Sequence, residues 1–235
     1  AEAGTGVFAM DAGNGNTTQA FDSGFPVDFA ITRAPASATN WETGGRLIQG
    51  KWLETNNTVA ESPGAYFSFD SNTGWMKNAS AYNSSYQAWM WKRGAGCDVV
   101  TYDGGFDGST KTIIHSLNKV PEMIWQKNRA SSSSWITYHK GLNGGTNAWN
   151  YSLFLNTAGA EMANAGLMTG TPTSKSLILS GTNWQNNISV SGVKGILFLF
   201  ASVEGISKVG YYTGSGSAGN EQNIGFSPRF LIVRK

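Results

Sequence analysis

Two histidines and a single cysteine are all that the 235 residues offer a transition metal. His115 and His139 stand apart, and no HxH, HExxH or CxxC spacing occurs, so neither a metal nor a cofactor is expected. Cys97 has no partner for an intramolecular bridge and reads as a small buried apolar residue. Charge is scarce too: Asp, Glu, Lys and Arg make up 14% of the chain and the net charge is +2. The basic residues are scattered, with Arg93, Arg129 and Arg234 far apart, so the clustered basic face that nucleic acid requires is missing. The longest apolar run, residues 195–203 (GILFLFASV), is too short to span a membrane and suits a buried strand. The opening AEAGTGVFAM has no initiating Met, basic segment or secretory core, which fits a processed start or a piece of a longer chain.

Catalytic signatures are equally thin. There is no GxSxG, no P-loop and no GxGxxG before a helix; Gly13-Asn-Gly15 and Gly214-Ser-Gly216 read as turns. A glycosidase needs two carboxylates across a cleft. The candidates Asp70, Asp98, Asp103, Asp107, Glu161 and Glu204 form no repeated acidic motif, and Asp103 and Asp107 flank Gly104-Gly105 as in a turn rather than a calcium loop. The chain is therefore expected not to be an enzyme.

Aromatic residues (12%, with nine Trp) and 30 glycines are what the chain has in plenty. Apolar β-formers between Gly/Asn/Ser clusters are the composition of short strands and many turns. Strands are expected at 66–69, 87–91, 111–114, 135–138, 177–179, 188–191 and 196–200. Residues 157–167 (TAGAEMANAGL) could form a short helix.

The strongest signal is internal repetition. GFPVDFAITR (24–33), NKVPEMIWQK (118–127) and GFSPRFLIVR (225–234) align on the turn, placing Val27 on Pro121 and Pro228, Phe29 on Met123 and Phe230, Ile31 on Trp125 and Ile232, and Arg33 on Lys127 and Arg234. Residues two apart share a strand face, so each pair points one way. Trp41 and Trp135 each follow by eight residues; Asn56 and Glu61 match Asn156 and Glu161 at an offset of 100; Tyr102 matches Tyr212. The fold expected is all-β: two tandem antiparallel β-sandwich-like units of jelly-roll or lectin-like type, at 1–101 and 102–235, with residues 211–235 opening a third unit or completing the second. In the second case Phe230 and Ile232 are buried against residues 102–210.

Aromatic rings stack on sugars. Trp149, in the Gly/Asn loop 141–149, is the Trp most suited to exposure, and with the nearby His139 it is the candidate ligand-binding site. Trp41, Trp125 and Trp135 fall at or beside repeated positions and read as core.

The segments WKRGAGCDVVTYDGG, VPEMIWQKNRASSSSWITYHKGLNGGTNAWNYSLFLNTAGAE, ASVEGISKVGYYTGSGS and IGFSPRFLIVRK resemble the repeat of large virion structural and tail-fibre proteins of marine tailed bacteriophages, cyanophages among them. The first unit departs from it, with Val27 in place of Pro and a poor match over 42–74. The resemblance implies a β-rich structural unit, used in tandem in fibre-forming virion proteins, without a catalytic motif to transfer. It also implies a virion location, with copies of itself, other virion proteins and a host-surface glycan as partners. The rival readings are a carbohydrate-binding module and a polysaccharide-degrading enzyme.

Overall fold

The computed structural model describes residues 3–105, 110–163, 165–180 and 191–234; Asp107, Lys235 and all but the last residue of the strand expected at 188–191 lie outside them. The first unit builds a six-stranded antiparallel sheet from β1 (Phe8–Ala12), β3 (Phe29–Arg33), β4 (Glu42–Gly45), β5 (Lys51–Glu54), β6 (Ser62–Pro63) and β8 (Gln87–Trp91), in the order β1-β8-β3-β4-β5-β6. A short ribbon of β2 (Phe21–Asp22) and β7 (Gly74–Trp75) accompanies it.

The second unit repeats this strand for strand. Its sheet holds β9 (Cys97–Asp103), β11 (Met123–Asn128), β12 (Ile136–His139), β13 (Tyr151–Phe154), β14 (Met162–Ala163) and β16 (Lys194–Phe200), in the order β9-β16-β11-β12-β13-β14. Its ribbon pairs β10 (Thr110–Ile114) with β15 (Ser176–Ser180). Register agrees as well: Phe29 lies opposite Trp91 and Ile31 opposite Trp89, as Met123 lies opposite Phe200 and Trp125 opposite Phe198.

Two local devices explain why the repeated residues recur. Gly24, Asn118 and Gly225, at the aligned turn, have φ of 78°, 56° and 83°, a region open mainly to Gly and Asn. The Asn56 side-chain oxygen accepts the Trp41 amide at 2.9 Å, and Asn156 accepts that of Trp135 at 2.8 Å, each tying the strand entry to the following hairpin.

Strand alternation gives each sheet two apolar faces and the molecule three cores. The first unit's outer core gathers Phe21, Phe67, Phe69, Trp75 and Met90; the second's gathers Ile124, Leu167, Leu177, Leu179 and Leu199. Between the sheets lies a shared core of Phe29, Ile31, Leu53, Val99, Trp125, Trp135, Ile196, Phe198 and Phe200. Burying each such side chain contributes about 1.5–3 kcal/mol. Trp135 also donates its indole N–H to the Glu54 carbonyl of the other unit at 2.7 Å.

Several expectations change. The sequence boundary at 101/102 falls inside β9, whose whole length belongs to the second sheet; the chain changes sheets at residues 92–96, where Gly94 and Gly96 take positive φ. Residues 66–69 form no strand: Phe67 and Phe69 enter the outer core from a turn, with the Phe67 amide bonded to the Gly64 carbonyl. Residues 157–163 are not helical, because Met162 and Ala163 pair with β13, and Gly166 presses so close to the Trp149 carbonyl that a Cβ would lie 2.1 Å from it. Residues 211–234 hold no strand. Phe230 is partly buried, on Phe8, Trp89 and Trp91 of the first unit rather than on the second, while Ile232 is 45% exposed, so these residues do not complete the second sheet.

Candidate functional site

An open depression of about 520 Å³ lies on the second unit, between the turn that leads into β11, the end of β12 and the loop before β13. The loop reverses tightly because Asn143, Gly144, Gly145 and Asn147 all adopt left-handed backbone. The Asn143 side chain donates to the Thr146 carbonyl, and its amide donates to Glu161, both at 2.8 Å. This geometry returns the chain as a 3-10 turn over Ala148–Asn150, with Ala148 buried and Trp149 forming one wall. Trp149, the Trp that the sequence makes most suited to exposure, is half-buried: it packs against the outer core and also lines the depression.

Tyr138, Lys119, Asn147, Glu122 and Lys140 complete the useful lining. Glu122 and Lys140 form an ion pair at 2.5 Å, and the second Glu122 oxygen accepts the Ser202 amide at 2.6 Å. Burial pushes the Glu122 carboxyl up, but the hydrogen bonds from Lys140 and Ser202 outweigh it and hold the group below the ordinary carboxylate range. An ionised carboxylate held by an ammonium and an amide is a poor proton donor. The lining thus combines the half-buried Trp149 and the edge of the buried Tyr138 with amide and charged groups.

His139 does not join Trp149. It follows Tyr138 on the same strand and therefore points to the opposite face. Its Nδ1 accepts the Gly141 amide at 3.0 Å, and burial, followed by the Lys140 charge, lowers its pKa.

The acidic candidates are also dispersed. Asp98 is buried and bound by Arg93 and the Ser116 amide, Asp70 pairs with Lys77, and Glu161 caps the loop above. Two other carboxylates do face each other: Glu42 on β4 lies directly opposite Glu54 on β5. Glu42 accepts the Tyr82 hydroxyl at 2.6 Å and Glu54 accepts Asn57 at 2.9 Å. Burial raises the Glu42 pKa, the Tyr82 bond lowers it, and the neighbouring Glu54 charge raises it further. Both carboxylates are bound by their own chain and Glu54 is buried. Their twelve-residue separation in sequence gives no sign of this pairing; only the hairpin creates it.

Lys127 was equally hidden. Its side chain is fully buried between the units and donates to the carbonyls of Thr58 and Asn128, at 3.1 and 2.9 Å, and more loosely to Ser131 and Ser133. Burial lowers its pKa to about 8. Among the described residues no group of three or more His, Cys, Asp or Glu is arranged to hold a metal ion.

Fold and surface together define a tandem-repeat, all-β module: two antiparallel six-stranded sheets that share one aromatic core, with a polar-aromatic depression on the second unit. The chain belongs to the family described as domain of unknown function DUF7483, whose model matches residues 7–235, both units and the segment beyond them. No curated protein and no solved structure matches it.

Proposed function

We propose that the chain is a structural module of a phage virion, a tail-fibre or surface-appendage β-repeat, and not an enzyme. The observation that carries this reading is the shared core. Each unit keeps an apolar inner face that the other unit covers, which is the physical basis of serial repeat architectures. The sequence resemblance to virion proteins supplies the setting, on the surface of the particle or its tail, with copies of the chain or other virion proteins as partners. Mass spectrometry of purified particles, or density in a virion reconstruction, tests it: the protein is expected in the particle, and its absence there ends the reading.

The depression at Trp149 favours a second reading, a carbohydrate-binding module acting within the same fibre at the host surface. A glycan array with the purified protein is expected to give signals that Trp149→Ala abolishes. Flat binding by the unaltered protein would sink it.

A further inference from the structure

We infer that the open side of the shared core is an interaction surface for a third β-sheet unit of the same kind, joined in series through residues 207–234, so that three sheets enclose one aromatic core. This goes beyond the virion reading and stands or falls without it.

The first evidence is positional. Val99 of β9 lies in the shared core, and so does Val209, which the Tyr102/Tyr212 alignment places at the same point of the next repeat. Gly225 adopts the same left-handed turn as Gly24 and Asn118. Phe230 then falls at the position of Phe29 and Met123, both of which face the shared core, and its ring meets Trp91 at 5.3 Å and Trp89 at 6.0 Å.

The second evidence is that contacts between units recur. Lys127 reaches back to the Thr58 carbonyl on the loop after β5 at 3.1 Å. Arg234, the aligned residue, reaches the Gly159 carbonyl on the equivalent loop after β13 at 2.6 Å. The 3-10 turn Arg46–Ile48 packs on β9; the equivalent turn Leu142–Gly145 carries Tyr211, which lies so close that a Cβ on Gly141 would fall 2.5 Å from its ring. The segment thus meets the second unit as the second unit meets the first, and then touches the first unit through Phe230. Three bodies related in this way close on themselves.

The third evidence is the uncovered side. Met10 on β1 holds the register position of Val99, opposite Trp89 as Val99 is opposite Phe198, yet it is 38% exposed. A third unit would set its own 3-10 turn there. Leu231, Ile232 and Val233 have the sequence of a central strand and are exposed, with no sheet neighbour among the described residues. In both visible units the two neighbours of that strand come from later in the same unit. The occupant of this surface is therefore a six-stranded sheet with an aromatic inner face.

The inference is tested by extending the 235-residue chain with a second copy of residues 129–202, which supplies those later strands. Amide hydrogen exchange at residues 229–234 is expected to slow at least roughly tenfold, and Ile232→Asp is expected to abolish the protection. An extended chain whose added unit folds while 229–234 exchange as before overturns the inference. A second measurement stands even if the extension does not fold. In the unextended chain the Phe230 ring already lies on Trp89 and Trp91, so Phe230→Ala is expected to raise the quenching of tryptophan fluorescence by acrylamide. Unchanged quenching means that the segment is not seated on the first unit and overturns the inference equally.

Discussion

The rings of Phe29 in the first sheet and Phe198 in the second lie 4.4 Å apart, centroid to centroid, in the middle of the shared core. Phe29 also stacks on Trp91 of its own sheet at 4.7 Å. One residue therefore belongs to the cohesion of its unit and to the joint between units.

Phe29→Ala is accordingly expected to destabilise the protein by about 3–5 kcal/mol, the usual cost of emptying an aromatic core site. Because both sheets lose a packing surface, denaturant unfolding followed by fluorescence and by circular dichroism should move together in one transition. Two separate transitions, with only the first unit affected, would show that the units fold independently.

The matched asparagines give a symmetric prediction. Asn56→Ala and Asn156→Ala each remove the acceptor of one Trp amide. Each should cost about 0.5–1.5 kcal/mol. Urea midpoints measured side by side check this; a loss at one site only would mean that the two hydrogen bonds do different work.

Lys127 makes stability depend on alkaline pH. Its folded pKa of about 8 lies below its ordinary value of 10.5, so between these values the unfolded chain binds more protons than the folded one. Its contribution is therefore greatest above pH 10.5 and is lost as pH falls through about 8. Unfolding free energies across this window should rise relative to those of Lys127→Met, whose loss of hydrogen bonds gives an offset that does not vary with pH. Parallel curves would refute the assignment.

Glu42 and Glu122 act in opposite senses in acid. The Glu42 pKa is raised, so its contribution is present below the ordinary value of 4.5 and lost as pH rises through the folded value. The Glu122 pKa is lowered, so its contribution is present above 4.5 and lost as pH falls. Glu42→Gln is expected to stabilise at pH 7 with a gain that fades in acid, and Glu122→Gln to destabilise at pH 7 with a loss that fades in acid. Melting temperatures from pH 3 to 7 separate the two.

Much of this architecture was legible before the structure. Phe29/Ile31 and Met123/Trp125 were placed on single strand faces by spacing alone, and the Asn56/Asn156 match marked a device that proves identical in both units. The edges of that reading have physical causes. Residues 66–69 alternate like a strand, yet their backbone is used in turns. Residues 157–167 have helical composition, yet pairing of Met162 and Ala163 with β13 overrides it. Trp149 sits in a loop of turn residues, yet the left-handed run at Asn143–Gly145 folds it back against the core.

The sequence by itself determined the all-β class, the repeat, its turn entry and which residues share a face, because these follow from local backbone preference and the two-residue period of a strand. Only the tertiary structure decided that the inner faces of the two units cover each other, that Glu42 opposes Glu54, that Lys127 is buried between units, and that Phe230 returns to Trp91. Each of those joins residues far apart in the chain, and periodicity gives the direction a side chain points without saying what it meets.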